Sequence, residues 1–280
     1  MKKRELKYRI NWQEAWKEMR RERMKKLRVT YDDDFFKKSA QDFSRRYQAN
    51  NYESGRGVVN ILGGILEKDS QVLEIGPGPG TLTVPLSEKV KKIVCLEASP
   101  LNVSILRENL REKEVENVEL RNEFWGKAEI EDRFDLVISS HFLWQMEDQE
   151  RNLELMEEFS RRYCVIVQPC GRDELVKKAF AEICGERYTG QFEPDAEYFS
   201  YVILREWSRF VDLRYIGYSF QLNIEEGIRY IASYLGKFIE VDEQVAAEIK
   251  NIILAGPGEP WLVRDKAVIM WWEPKGEFNE

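Results

Sequence analysis

Apolar and polar positions follow two different periods along the chain, and the two periods alternate. Short apolar runs typical of buried strands begin near residues 71, 92, 117, 134 and 163. The stretches between these runs have the pattern of helices, which are predicted over 56–66, 80–89, 100–113 and 148–162. Strands that alternate with helices at this spacing predict βαβ units, a parallel sheet covered on both faces and right-handed crossovers.

The pattern becomes less regular after residue 171. Helical spacing predicts further helices over 173–185, 195–209, 224–237 and 242–254. The stretch "FVDLRYIGYSFQL" alternates like one long strand, "GPGEP" at 256–260 predicts a turn, and "KAVIMWW" at 266–272 predicts a closing strand. The predicted fold class is therefore α/β, a doubly wound, mostly parallel sheet of seven strands whose last two form a hairpin-like edge.

The first 50 residues predict two amphipathic helices, the first over 11–28 and the second beginning at "YDDD", which offers an N-cap. Residues 1–50 hold 16 Lys/Arg and 8 Asp/Glu, whereas the rest of the chain holds 27 and 42. One interpretation is a solvated basic face over an apolar stripe, and another is an arm that touches RNA or a membrane. A third is a lid whose aromatic side chains face a pocket, namely Trp12, Trp16, Phe43 and Tyr47.

Composition excludes several classes of protein. No apolar run approaches the ~18–20 residues that span a bilayer, and no signal peptide is expected at the basic N-terminus. The four cysteines form no C-x-x-C pair and there is one histidine, so no metal site built from Cys and His is expected. Cysteines of this kind suit a reducing cytoplasm. The formal net charge of −7 does not point to nucleic acid as a partner.

Three glycines and three prolines follow the first predicted strand, in "VLEIGPGPGTLTVPL" at 72–86. Glycine permits positive φ and lets a ligand approach the backbone, while proline stiffens the turn. A strand-to-helix turn also brings backbone N–H groups to the carboxyl edge of the sheet, where ligands of doubly wound folds bind. The stretch from Gly76 to Gly80 therefore predicts a pre-shaped ligand turn.

The acid that precedes this turn argues against a dinucleotide. The third glycine comes one residue early for G-x-G-x-x-G, and Thr81 stands where that motif has its last glycine. Glu74 would repel a pyrophosphate but suits an ammonium group. Glu97 ends the second strand, where a carboxylate bonds both hydroxyls of a ribose. A ligand with an ammonium, a ribose and no phosphate is S-adenosylmethionine, which is the predicted cofactor.

At this point the chain resembles a known family, the class I S-adenosylmethionine-dependent methyltransferases. The resemblance rests on "VLEIGPGPG" followed by "LEASP", and it covers roughly residues 55–170. More loosely, "FFKKSAQDFSRRY" at 35–47 is similar to the opening segment of members that act on small molecules, and "VIMWWEP" is similar to their closing strand. The resemblance implies methyl transfer by in-line displacement to a small-molecule substrate, with S-adenosylhomocysteine as the product.

The resemblance also implies a role for each matching residue. The methionine part of the cofactor would face Glu74 and the backbone of Gly76, Pro77, Gly78 and Gly80. Glu97 would hold the ribose, with Ala98 and Ser99 beside the adenine. After the third strand, the adenine would meet Asn122 or Glu123 at its amino group and Phe124 or Trp125 at its ring. The end of the fourth strand, with Ser139 and Ser140, would run under the sulfonium.

The only histidine, His141, comes directly after the fourth predicted strand, where substrate would meet cofactor. An unperturbed pKa near ~6.5 makes it the side chain suited to take a proton from a hydroxyl at neutral pH. We expect His141 to contact the substrate, with Trp144 also facing substrate or lid. A purely structural histidine is the alternative for His141, and a plain core position is the alternative for Trp125.

The glycine motif also resembles that of the ribosomal RNA adenine dimethyltransferases. Those enzymes have an N-L-P-Y-like element after the fourth strand that grips a flipped adenine. Here the corresponding place reads Ser139, Ser140, His141 and Phe142. A small molecule is therefore the favoured substrate, with RNA methylation and non-catalytic binding of S-adenosylmethionine as alternatives. The predicted organisation is a helical lid over 1–50 and a methyltransferase domain over 51–280, with substrate-selecting additions within 172–265.

Overall fold

A computed structural model describes residues 10–28, 34–191, 196–256 and 260–275, with the backbone alone for 34–39. Within these ranges one seven-stranded sheet has the order β3-β2-β1-β4-β5-β7-β6. The strands are β1 (Gln71–Ile75), β2 (Lys92–Leu96), β3 (Val118–Arg121), β4 (Phe134–Ser140), β5 (Ser160–Gly171), β6 (Val211–Leu222) and β7 (Trp261–Trp272). Neighbouring strands are parallel except for β7, which runs antiparallel to both β5 and β6. The predicted fold class is confirmed.

Helices cover both faces of this sheet. In chain order they are α1 (Trp12–Lys26), α2 (Asp34–Ala49), α3 (Glu53–Ile61), α4 (Thr83–Ser87), α5 (Pro100–Glu112), α6 (Gln149–Phe159), α7 (Glu174–Cys184), α8 (Ala196–Glu206), α9 (Ile224–Leu235) and α10 (Glu243–Leu254). One core cluster joins α3, α7, α9 and α10 to the sheet, and a second joins α1, α6 and α8 to its other face. The central strands are buried on both faces, which explains their continuous apolar sequences.

β6 and β7 form the predicted hairpin-like edge. The strands pair antiparallel over their full lengths, and the two predicted helices, α9 and α10, lie between them in the chain. β7 begins at Trp261, before the start predicted at residue 266. The charged run from Arg264 to Lys266 does not read as part of a strand in the sequence, because an inward position is expected to be apolar. Asp265 nevertheless points inward, is 2% exposed and pairs with Arg172.

Helix α1 is part of the hydrophobic core rather than a lid over a pocket. Trp16 is fully buried, and its ring lies 5.6 Å from that of Phe199 on α8. Its indole Nε1–H donates to the carbonyl oxygen of Met146 at 2.8 Å. The side chain of Gln13 fixes the same segment, donating to the carbonyl of Glu147 at 3.0 Å and accepting from the N–H of Gln149 at 2.9 Å. This packing corrects the expectation that Trp16 faces a pocket.

Two predicted features fall outside the described residues, namely most of the "YDDD" cap, at 31–33, and the middle of the "GPGEP" turn, at 257–259. The N-cap of α1 is Asn11, whose side chain accepts from the N–H of Glu14. Across the described ranges, the helices are all too short or too polar to cross a membrane.

Candidate functional site

The glycine turn lies between β1 and α4 and adopts the left-handed backbone that its sequence predicts. Gly76, Gly78 and Gly80 have φ of 63°, 55° and 92°, values that side-chain-bearing residues rarely adopt. Two of these glycines are also needed for packing. A Cβ on Gly76 would lie 2.6 Å from the ring of Phe142, and one on Gly80 would lie 2.5 Å from Leu106.

Gly78 is the open position in this turn. A Cβ built on it meets no atom within 4 Å, so close packing does not explain the glycine there. Its N–H donates to Glu97 Oε2 at 3.0 Å, which ties the turn to the end of β2. The neighbouring Pro77 accepts the N–H of Gly80 at 3.1 Å and closes the turn. The backbone at Gly78 is therefore held in place and remains accessible to a ligand.

Asn109, which the sequence analysis did not identify, braces the turn from behind. The residue is 3% exposed on α5, and its amide nitrogen donates to the carbonyl of Pro79 at 2.7 Å and to Ser44 Oγ at 2.9 Å. Gln48 donates to Asn109 Oδ1 at 2.6 Å. Helix α2 is thereby attached to the glycine turn. The available sequence signal was a polar residue on the inward face of α5.

Glu74 lies at the end of β1 with no exposed surface. Its Oε2 accepts a weak hydrogen bond from Cys95 Sγ at 3.7 Å, while Oε1 has no hydrogen-bond partner within the described part of the chain. Burial raises the pKa of this carboxyl to about 7, because charge is costly to desolvate. Near pH 7, the neutral and charged forms of the Glu74 carboxyl are therefore both populated.

Glu97 occupies the end of β2 and is 7% exposed. Its two carboxylate oxygens accept backbone N–H groups, from Gly78 at 3.0 Å and from Ser99 at 2.8 Å. Burial raises its pKa, and these backbone hydrogen bonds act in the opposite direction. Each oxygen keeps a further lone pair, so the carboxylate can also accept from two hydroxyl groups.

The four residues after β3 separate into two sets. The amide nitrogen of Asn122 donates to the carbonyls of Glu97 at 2.8 Å and Ala98 at 3.1 Å, so Asn122 lies at the edge of the predicted adenine position. Glu123 is half-buried, and Phe124 is 63% exposed on the same loop.

Trp125 points the other way from Asn122. Its Nε1–H donates to Asn152 on α6 at 2.6 Å, and its ring packs edge-on to Phe159. These contacts place Trp125 in the core, which was the alternative to a role at the adenine ring.

His141 follows β4 with a φ of 55°, a conformation that costs energy in a residue with a side chain and that clusters at functional sites. Its backbone N–H donates to Val167 at 2.8 Å, and its carbonyl accepts the Nε1–H of Trp144 at 2.8 Å. The ring atom Nε2 is buried without a partner in the described residues. Burial lowers the pKa of His141 to about 4, and the nearby charge of Arg172 acts in the same direction.

The two serines that end β4 differ in exposure. Ser139 is fully buried and its Oγ has no partner among the described residues, whereas Ser140 is half-buried. Ser139 pairs with Ile75 of β1, next to the start of the glycine turn. The end of β4 therefore lies beside the turn.

A buried polar cluster joins the segment directly after β5 to β7 and α9, and the sequence analysis missed it. Asp265 accepts from Arg172 Nη1 at 2.7 Å, from the hydroxyl of Tyr230 at 2.7 Å and from the N–H of Asp173 at 3.0 Å. Arg172 also stacks over the ring of Tyr234 at 4.9 Å. A local sequence motif could not predict this cluster, because Arg172 and Asp265 are 93 positions apart.

The predicted lid residues divide between two places. Trp12 contacts Tyr198 and Phe199 at centroid distances of 6.1 and 6.5 Å, so it belongs with Trp16 to the core beside α8. Phe43 and Tyr47 of α2 stack at 4.3 Å on the side of the glycine turn. Tyr47 is 4% exposed, and its pKa is raised by burial and by the charge of Asp265.

Comparison with known proteins supports a methyltransferase. A family model described as a methyltransferase domain matches residues 66–199. The ribosomal RNA small subunit methyltransferase A of Desulforapulum autotrophicum is 35% identical over 97 residues, which are 34% of this chain and 34% of that protein. The protein of the same name from Clostridium botulinum is 36% identical over 81 residues, 28% of this chain and 30% of its own. The chain spans about a third of the length of these curated relatives.

Solved structures share the fold. The YcgJ protein of Bacillus subtilis matches with a TM-score of 0.54 and 13% identity, over 80% of this chain and 99% of its own. A candidate methyltransferase of Bacillus halodurans matches with a TM-score of 0.53 and 12% identity, over 78% of this chain and 99% of its own. Residues 66–199, which contain the glycine turn and both acids, thus match a methyltransferase domain, and the sheet has the fold of the class I S-adenosylmethionine-dependent methyltransferases, whose methyl donor is S-adenosylmethionine.

Proposed function

We propose that this chain transfers a methyl group from S-adenosylmethionine to a small-molecule acceptor. The observation that carries the cofactor part of the proposal is Glu74, a fully buried carboxyl with one oxygen left without a partner in the described residues, at the end of the strand that leads into the glycine turn. Buried polar atoms in native proteins nearly always have partners, and a bound ligand would supply one here. An ammonium group would supply both a hydrogen-bond donor and a compensating charge.

The neighbouring residues fit the rest of the same cofactor. We assign the ribose hydroxyls to Glu97, the methionine part to Glu74 and the Gly76–Gly80 backbone, and the adenine to the edge between Asn122 and Phe124. The open position at Gly78 leaves space for this approach, since a Cβ there meets no atom within 4 Å. When bound, S-adenosylmethionine supplies a methyl group that its sulfonium has already activated.

The residues of the chain would then align the acceptor and exclude water. Positioning of this kind supplies ~7 kcal/mol or more of a barrier. An acceptor held in line with the activated methyl group would take it directly, with S-adenosylhomocysteine as the product. We propose that Nε2 of His141 contacts the acceptor. Because the pKa of His141 is about 4, the neutral imidazole is a weak base, and an acceptor that needs little deprotonation suits this site best.

RNA is the second candidate substrate, because two of the similar proteins are named ribosomal RNA methyltransferases. The basic residues of α1 give this candidate little support. Lys17, Arg21 and Lys25 each pair with a glutamate of the same helix, at Glu14, Glu18 and Glu22. Binding of S-adenosylmethionine without catalysis is a third candidate. We also propose a cytoplasmic location, which the free thiols of Cys95, Cys164, Cys170 and Cys184 support.

A labelling experiment separates these functions. The purified protein is incubated with tritiated S-adenosylmethionine and whole-cell extract of the source organism, and label is counted in small-molecule, RNA and protein fractions. We expect label in the small-molecule fraction, lost in a Glu97→Ala variant that keeps its fold and kept in a Glu108→Ala variant, whose side chain is exposed. Label in nuclease-sensitive material would show that the acceptor is RNA rather than a small molecule. No label, with cofactor binding intact, would favour a binding protein.

A further inference from the structure

A cleft of about 750 Å³ opens between the C-terminal half of α2, the end of β6 and α9. Clefts of this size take small organic molecules. None of the residues assigned above to the cofactor lines it. The lining includes Asp42, Arg46, Asn50, Glu226, Arg229 and Tyr230.

Arg46 is the central cation of this cleft. Its guanidinium carbon lies 4.6 Å from the ring centre of Tyr230, 5.4 Å from that of Phe220 and 5.7 Å from that of Phe43. Nε of Arg46 is buried and has no hydrogen-bond partner in the described residues, nor does any described carboxylate pair with Arg46. Stacking on aromatic rings fixes the plane of the guanidinium, which favours bidentate binding of an oxyanion.

Asn50 stands one helical turn after Arg46 and adds a second unsatisfied group. Both its amide nitrogen and its amide oxygen are buried and without partners in the ranges that the structure describes. The amide of Asn50 therefore offers one hydrogen-bond donor group and one acceptor to a ligand. Together with Arg46 it forms a site that recognises an oxyanion and a neighbouring polar group.

The acidic residues of the cleft are occupied or lie at its rim. Asp42 is 3.8 Å from Arg45 and 3.9 Å from Arg229, and Glu226 accepts the N–H of Asn223 at 2.9 Å in a capping box. Arg45 and Arg229, the other two arginines of the cleft, are thus the partners of Asp42, whereas Arg46 has no ion pair in the described residues.

Two paths of contact connect the cleft with the proposed methyl-transfer site. Tyr230 lines the cleft and donates to Asp265, which pairs with Arg172, the residue whose charge acts on His141. On the other side, α2 carries Arg46 and is attached to the glycine turn through Ser44 and Asn109. A molecule in the cleft thus lies against elements that build the cofactor site.

We propose that this cleft binds one end of the methyl acceptor, a small molecule whose carboxylate or phosphate pairs with Arg46 while Asn50 bonds a neighbouring polar group, and whose other end reaches His141. The acceptor role rests on the proposed function. The oxyanion site itself does not, and the two are tested separately.

The oxyanion site is tested by saturation-transfer NMR with three probes, namely benzoate, phenyl phosphate and the neutral benzamide. We expect one or both anions to bind, benzamide to bind at least about tenfold more weakly, and Arg46→Gln to remove most of that difference. Whichever anion binds more tightly identifies carboxylate or phosphate as the recognised group. Arg151→Gln, which replaces an exposed arginine on α6, serves as the matched control and should leave both affinities unchanged. Equal binding of benzoate and benzamide, or unchanged binding in Arg46→Gln, would overturn the proposal.

Calorimetry of S-adenosylmethionine binding accompanies every variant. If Arg46→Gln does not fold, Asn50→Asp tests the oxyanion site instead. This variant places a negative charge beside the anion with little change in shape, and it should weaken benzoate binding by at least about tenfold. A wild-type protein that binds benzoate but not the cofactor would refute the proposed function and leave the oxyanion site standing.

The acceptor role is tested by labelling from tritiated cofactor in extract. Labelled product should be retained on an anion exchanger as a small molecule, and Arg46→Gln should reduce its formation without changing cofactor affinity. Label in RNA, or in a neutral small molecule whose formation Arg46→Gln does not change, would refute the acceptor role.

Discussion

Arg172 and Asp265 form an ion pair of 2.7 Å at the carboxyl edge of the sheet, with side chains 10% and 1% exposed. Asp265 also accepts from the hydroxyl of Tyr230 and from a backbone N–H, so its charge is fully compensated. The pair joins β7 to the segment after β5 and lies near His141. It therefore bears on both the stability of the fold and the electrostatics of the candidate site.

Replacement of Asp265 by alanine should lower the free energy of unfolding by about 3–5 kcal/mol, because it leaves the Arg172 charge buried without its carboxylate. Urea unfolding followed by circular dichroism measures this change. Glu182→Ala removes an exposed glutamate whose ion pair is 3.9 Å long, and it should change stability by less than about 0.5 kcal/mol. A loss below about 1 kcal/mol in Asp265→Ala would show that the pair is not buried in solution.

The single histidine allows a direct measurement of the pKa of His141 by proton NMR on protein without a histidine tag. We expect a value of about 4. Arg172→Gln should raise it, since the arginine charge opposes protonation and Asp265 is left as a favourable neighbour. Asp265→Asn should lower it further.

The same shift gives His141 a defined effect on stability. Between about pH 6.5 and pH 4 the unfolded chain binds a proton that the folded chain does not, so stability should fall as pH falls through this range. His141→Gln should reduce that dependence. A pKa near ~6.5 in the wild-type protein would mean that the ring is solvated.

Glu74 should show the opposite dependence on pH. Its folded pKa of about 7 lies above the unfolded value, so the folded state keeps a proton that the unfolded state loses, and stability should fall as pH rises from about 4.5 to about 7. Glu74→Gln should then stabilise the cofactor-free protein at pH 8 by about 3 kcal/mol and have little effect near pH 4. Equal effects at both pH values would show that folding does not shift the pKa of Glu74.

Cofactor binding should reverse the cost of ionising Glu74. An ammonium group beside the carboxyl favours its charged form, so affinity for S-adenosylmethionine should rise with pH through about 7, with proton release. Calorimetry in two buffers of different ionisation enthalpy measures the released proton. Glu74→Gln should bind more weakly and with a flat pH dependence. Unchanged affinity in this variant would place the ammonium elsewhere.

Gly78→Ala should separate ligand approach from folding. The new methyl group meets no protein atom within 4 Å, so the stability cost is limited to the left-handed backbone, about 1–2 kcal/mol. Affinity for S-adenosylmethionine should fall at least about tenfold, because the methyl occupies the space through which the cofactor reaches the turn. Gly63→Ala is the control, since that position is equally open but not left-handed. Native affinity in Gly78→Ala would refute the assignment.

Trp16→Phe should lower the free energy of unfolding by about 1–3 kcal/mol, because the carbonyl of Met146 loses its buried donor. Thermal unfolding measures the change, with Met24→Ala on the exposed side of α1 as the control. A protein lacking residues 1–30 should lose far more stability, since it exposes the core around Phe199. Full stability of that shortened protein would restore α1 as a movable lid.

The order of strands and helices, the glycine turn and the two acids could be predicted from the sequence, because each depends on local properties. Hydrophobic period distinguishes strand from helix, and a left-handed turn requires glycine at Gly76, Gly78 and Gly80. Tertiary structure alone decided the polar interior and the packing of α1. Arg172 contacts Asp265, and Arg46 contacts Tyr230, only after distant strands and helices pack together. The sequence alone does not distinguish a buried charged residue such as Asp265 from an exposed one. Tertiary structure alone also decided the partners of two tryptophans. Trp16 donates to Met146 and Trp125 to Asn152, and the hydrophobic period of the sequence identifies neither partner.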